Sequence, residues 1–132
     1  MNTADRRLVF AKTGGKCAYC GCTLPEKGWH LDHVKPIYRG HDGVTPTYRG
    51  RDVIENALPA CPRCNRWKST MSVDTFRHEI EAQVKRLRRD IRPFRLAEDF
   101  GLVKEVVKPI VFYFETAECI LERREYKRGE TS

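Results

Sequence analysis

From residue 73 onward, apolar side chains recur at steps of three or four: Val73, Phe76, Ile80, Val84, Leu87 and Ile91. That period predicts a long amphipathic helix over 73–91, opened by Ser72 as N-cap and stopped by Pro93. Arg77, Lys85, Arg86, Arg88, Arg89 and Arg92 fall on its other side and read first as a solvated face. The earlier part of the chain lacks this rhythm. A short helix over 4–12 is predicted there, with Thr3 as cap, Leu8, Val9 and Ala11 turned inward, and Gly14-Gly15 as its end. Trp29–Val34 reads as a strand limited by Pro36, and Leu58–Cys61 as a second short strand. Pro62 suits the first turn of a helix running to Thr70. Between the strands, residues 39–52 form a polar Gly-, Pro- and Asp-containing loop. It holds an echo, Tyr38-Arg39-Gly40-His41-Asp42 and Tyr48-Arg49-Gly50-Arg51-Asp52, too short for a repeat architecture. Beyond Pro93 we expect a short helix over Phe94–Phe100 ending at Gly101, an apolar strand over Ile110–Phe114 and a frayed charged tail.

Two short strands among several helices make the expected class α+β. With 132 residues and 40% hydrophobic content, the chain is read as a single domain. Within it, residues 14–70 form the core, 72–92 an amphipathic helix and 93–132 a C-terminal extension. No stretch approaches the roughly 20 apolar residues of a membrane span, and Asp5, Arg6 and Arg7 interrupt any secretory leader pattern. The expectation is therefore a soluble, intracellular, cytoplasmic protein without a membrane partner. Of the net charge of +7, +6 falls in residues 1–72. That excess suits a surface that meets phosphate, and it also suits simple solubility.

The basic half holds two Cys-x-x-Cys pairs, Cys17/Cys20 and Cys61/Cys64. Four thiolates at this spacing can close a tetrahedral structural zinc site that keeps no open position for chemistry. A disulfide framework is the competing reading, disfavoured without a secretory signal. Cys22 is surplus to the four, and Cys119 reads as a small apolar residue. Between the pairs and directly after the second lie residues suited to phosphodiester hydrolysis, which needs a base near neutral pH, a cation for developing charge, and backbone anchors. His33 is a base candidate, Asp32 and Asn65 are hard oxygen donors suited to Mg2+, and Arg66 and Lys68 can hold phosphate. On a regular strand Asp32 and His33 would point to opposite faces, so the chain must twist there.

Taken in order, Cys17-x-x-Cys20, Leu31-Asp32-His33-Val34-x-Pro36 and Asn56-x-Leu58-x-x-Cys61-x-x-Cys64-Asn65-x-x-Lys68 resemble the HNH nucleases of the ββα-metal fold. The resemblance covers residues 14–70. It implies a two-stranded ribbon packed on a helix, stapled by zinc, with His33 as general base and Asp32 plus Asn65 gripping one divalent ion. Asn56 would hold the intervening loop and orient His33. DNA is the implied substrate and partner, with Arg66, Lys68, Arg39, Arg49 and Arg51 as contacts. Asn65 stands where many members have His, a His-Asn-Asn variant that tilts metal preference toward Mg2+ or Mn2+. The 22-residue gap between His33 and Asn56 is long for the family.

Small free-standing members resembling this chain occur in phages and prophages, so packaging proteins are implied partners, and cutting both strands would call for a homodimer. The alternative reading is a zinc-dependent nucleic-acid-binding or packaging partner module without its own catalysis. His30 is expected to pack rather than ligate, His41 and His78 to sit on the surface, and Trp67 either to stack on DNA or to join the core.

Overall fold

The computed structural model describes residues 1–37 and 50–121. The chain divides into two compact units, residues 1–73 with 111 onward, and residues 74–110.

In the first unit, helix α1 (Thr3–Ala11) is capped by Asn2, whose side chain accepts the Asp5 backbone N–H at 2.8 Å. The predicted cap, Thr3, instead lies inside the first turn: Asn2 holds the extended backbone a cap needs. Val9 is buried from this helix while Leu8 stays exposed, correcting the expected inward face. The Lys12 ammonium donates to the carbonyl of Ala57 at 2.8 Å and also to that of Ile54, fastening the helix end to the segment that enters the second strand. Residues 16–23 fold into a knuckle. Cys17 N–H donates to the Cys22 carbonyl at 2.8 Å, and Gly21 takes φ 78°, which suits glycine.

Strands β1 (His30–His33) and β2 (Ala57–Ala60) pair antiparallel, with His30 opposite Ala60 and His33 opposite Ala57. β1 is shorter than predicted, and β2 keeps its predicted length but starts one residue earlier. All four residues of β2 are buried, because the ribbon has α1 near it and the knuckle bonded to it through Ala18 N–H and the Pro59 carbonyl, 2.8 Å. Helix α2 (Pro62–Lys68) starts on Pro62 and ends at Ser69, whose φ of 47° leaves helical geometry. Together these elements form the ribbon and helix of the α+β arrangement.

The expected strand at Ile110–Phe114 is absent. Phe112 is sunk to 2% exposure, edge-on to Tyr19 with ring centroids 5.1 Å apart. Tyr113–Glu115 then forms a 3₁₀ turn. Tyr113 and Phe114 donate their N–H groups to Tyr19 and Ala18 carbonyls at 3.1 and 2.9 Å. The apolar run thus pairs with the knuckle at two points instead of entering the sheet, which stays two-stranded among the described residues.

In the second unit, the predicted 73–91 helix is two helices, α3 (Val73–Glu81) and α4 (Gln83–Asp90), joined at Ala82. At the join, the Gln83 side-chain amide donates to the Glu79 carbonyl at 2.8 Å, the acceptor a regular helix offers to the Gln83 backbone N–H. Helix α5 (Arg92–Asp99) follows, with Pro93 in its first turn and Gly101 at φ 74° beyond its end. The basic face is largely neutralised within this unit. Arg86 forks onto Glu79, Arg88 reaches Glu98 at 2.8 Å and Glu105 at 2.6 Å, and Arg89 meets Asp90 at 2.8 Å.

Candidate functional site

The two Cys-x-x-Cys pairs converge. Cys17 and Cys20 come from the knuckle, Cys61 from the N-cap of α2 and Cys64 from its first turn, and all four sulfurs lie within 4.8 Å of one another. Cys20 Sγ and Cys61 Sγ are 3.9 Å apart. A tetrahedron of Zn–S bonds of about 2.3 Å has an edge of about 3.8 Å, so this spacing suits zinc. Backbone N–H groups of Cys61 and Cys64 point at the sulfurs of Cys17 and Cys61, at 3.3 and 3.4 Å, the donors a thiolate cluster requires. The Cys17 thiol is drawn down to about 4, chiefly by the hydrogen bond from Cys64, whose own thiol is pushed up in exchange. Three of the four cysteines are buried, and Cys22 stands outside the set. Cys119 is buried elsewhere, its thiol 3.6 Å from the Lys12 carbonyl.

Beside this cluster, one face of β1 meets α2. His30 Nδ1 lies 3.0 Å from the Asn65 amide, and one helical turn further on Lys68 Nζ lies 3.1 Å from Asp32 Oδ2. Asp32 and Lys68 are 3% and 0% exposed, so this is an interior ion pair. The Tyr19 hydroxyl donates to the same Asp32 oxygen, and Lys68 also donates to the His33 carbonyl at 3.0 Å. Burial raises the Asp32 carboxyl above its usual value, while Lys68 and the Tyr19 hydroxyl oppose that rise. Desolvation in turn holds the Tyr19 phenol well above its ordinary range, leaving it a hydrogen-bond donor.

This corrects the expectation that Lys68 contacts DNA: the face of α2 turned to β1 takes it inside, and its charge is spent on Asp32. We expect Lys68→Met to cost about 3–5 kcal/mol, because it leaves a carboxylate buried without its partner. Urea unfolding in the presence of zinc should show this, with Lys68→Met/Asp32→Asn recovering most of the loss. A carboxyl raised in the folded state stabilises in acid and loses that contribution as pH rises through its folded value, so the deficit should grow toward neutral pH. A Lys68→Met chain as stable as wild type at pH 7 would contradict the pairing.

His33 turns the other way, into an open cleft lined by His30, His33, Asp52 and Asn65, with Arg6 and Trp29 at its side. Its Nε2 lies 2.9 Å from Asp52 Oδ1. A carboxylate only accepts, so neutral His33 donates from Nε2 and keeps its lone pair on Nδ1. Asp52 is 42% exposed by its side chain and also has the Met1 amino group at 3.9 Å. Asn56 joins the two ends of the connection between the strands. Its oxygen accepts Lys35 N–H at 2.8 Å, and its amide donates to the carbonyls of Lys35 and Arg51 at 2.9 Å. Those residues neighbour His33 and Asp52 in sequence. Gly50 completes the closure, since a Cβ there would stand 1.9 Å from the Lys35 carbonyl.

Sequence reasoning missed Asp52 and Tyr19. Arg51 and Arg66 are exposed, Trp67 is 53% exposed rather than in the core, and His78 is exposed. Arg39, His41 and Arg49 lie outside the described residues. No helix of the described chain is long and apolar enough to cross a membrane.

Residues 17–70 match the profile of the family described as HNH endonuclease. No curated protein matches the chain.

Proposed function

The chain carries an HNH endonuclease domain across residues 17–70, and on that premise we propose that it hydrolyses DNA phosphodiester bonds with one divalent metal ion. The observation that carries this reading is the His33–Asp52 pair, 2.9 Å apart and open to a cleft that Asn65 also lines. In this reading His33 Nδ1 removes the proton of the attacking water, and Asp52 holds the ring in that tautomer and stabilises the imidazolium that forms. Asp52 is thus a positioning residue. Lys68 and Asn56 fix the backbone at His33 and Lys35, so the base stands on a held strand end.

Asp32 and Asn65 would hold the metal ion. They stand on facing surfaces of the β1–α2 seam, and for the ion to bind, the buried Asp32 carboxylate would exchange the Lys68 ammonium, now against its two oxygens at 3.1 and 3.3 Å, for the metal. A carboxylate has roughly four acceptor positions, and Lys68 and Tyr19 use three of them here. The donors are hard oxygens, the class that suits Mg2+ or Mn2+. When bound, such an ion supplies Lewis-acid stabilisation of the phosphate and leaving oxygen. The structural cation is a different one, zinc in the four-cysteine cluster.

The test is a supercoiled plasmid assay. Nicked or linear product should appear with Mg2+ or Mn2+ and vanish with EDTA added just before the substrate. Asp52→Asn should lower kcat by about tenfold or more while leaving KM and zinc content unchanged, because only the charge that supports the imidazolium is removed. A zinc-loaded, folded chain that cuts no plasmid with either metal would overturn the reading. Equal kcat for Asp52→Asn would remove Asp52 from it.

A further inference from the structure

A second depression opens beside the cleft, between α1 and the segment that leads into β1. It has a volume of about 630 Å³, and its lining includes Arg6, Arg7, Phe10, Lys27 and Trp29. Arg6 and Trp29 line both depressions, so the two adjoin. Trp29 is buried, at 7% exposure, and packs at 5.6 Å on Phe10. Arg6 lies over the Trp29 ring, its guanidinium 4.3 Å from the centroid. The aromatic floor therefore fixes the plane of one guanidinium without using its N–H donors, which stay free to fork onto an anion.

The cations here differ from the paired arginines of the second unit. In the second unit, Arg86, Arg88 and Arg89 each face a carboxylate. Among the described residues, no carboxylate lies within ion-pair distance of Arg6, Arg7 or Lys27, and Glu26 is the only acid in the lining. Three cations and one acid thus line a cavity next to the cleft, a net positive lining. A net positive concave lining raises the local potential and attracts anions such as phosphate.

We propose that this depression binds the backbone phosphates flanking the scissile phosphodiester on one side of the DNA. Arg6 is held on Trp29 for a bidentate phosphate contact, and Arg7 and Lys27 are point contacts around it. The inference rests on the nuclease reading for the identity of the strand, and it adds a contact surface outside residues 17–70 in Arg6 and Arg7. It places the substrate backbone along α1.

The test is equilibrium binding of a labelled DNA duplex to the full zinc-loaded chain, made non-cutting by His33→Ala, between 50 and 200 mM salt. Arg7→Gln/Lys27→Gln in that background should weaken binding about tenfold at the lower salt. It should also reduce the slope of log K against log salt by about 0.9 for each phosphate no longer neutralised. Arg6→Gln should weaken binding further, whereas Lys85→Gln in the second unit should leave the slope unchanged. An unchanged slope in Arg7→Gln/Lys27→Gln, or no DNA binding by the parent chain, would overturn the proposal. The outcomes separate the two readings: a chain that cuts plasmid with an unmoved slope sinks this subsite alone. One that binds through these residues without cutting sinks the catalytic reading alone.

Discussion

His33→Ala is expected to lose plasmid cleavage by about 10²–10⁴-fold, the range a single general base contributes. DNA affinity and zinc content should stay at wild-type values, because His33 faces the cleft and its side chain is bonded to Asp52 rather than to the cluster or the core. The comparison belongs in single-turnover conditions, where product release cannot mask the chemical step. The variant separates two roles at β1. Lys68 and β2 hold the His33 backbone, through its carbonyl and the ribbon register, so the strand survives loss of the imidazole. A folding defect would therefore point to a structural histidine, and cutting at the wild-type rate would place the base elsewhere. Removing Asp52 should be milder, since Nδ1 remains as a base and only its orientation and charge support are lost.

What was legible in the sequence is what covalent spacing dictates. Two Cys-x-x-Cys pairs fix a ligand count and a knuckle geometry, Pro62 marks a first helical turn, and a short run before Pro36 can only be a short strand. The sulfur cluster, α2 and β1 arise from those features. What was not legible depends on which face of an element meets which neighbour. Lys68 looked like a phosphate ligand because it rides on the site's helix, yet three residues from Asn65 it falls on the inner face and neutralises Asp32. Asp52 gained its partner only through closure of the inter-strand connection by Asn56 and Gly50, a contact spanning 19 residues from His33 that no local pattern announces. Ile110–Phe114 had strand composition, but its acceptors are the carbonyls of Ala18 and Tyr19 on the knuckle, so it became a 3₁₀ turn. The regular period over 73–91 concealed the Gln83 side chain, which competes for a helix carbonyl.

Losing the metal that the four-cysteine cluster would hold should unfold the HNH domain outright. β1 and β2 contribute four residues each, and α2 seven, too little regular structure to persist unaided. The cluster joins these pieces at both ends: Cys17 and Cys20 lead toward β1, Cys61 closes β2, and Cys64 sits in α2. A structural zinc supplies roughly 10–16 kcal/mol of apparent folding energy in small domains at pH 7. That equals or exceeds the roughly 5–15 kcal/mol that holds a whole domain together. Cys61→Ser should therefore lose zinc, measured by elemental analysis as a fall from one ion per chain, and its thermal transition should broaden or vanish. Hydrogen exchange should show amide protection lost across Ala57–Ala60 and Pro62–Lys68. Cys22→Ser, outside the sulfur set, should keep both metal and transition. Unchanged zinc content and an unchanged Tm in Cys61→Ser would refute the staple. Zinc loss with the transition intact would show instead that the ribbon and α2 are held by Asp32–Lys68 and the Phe112–Tyr19 packing alone.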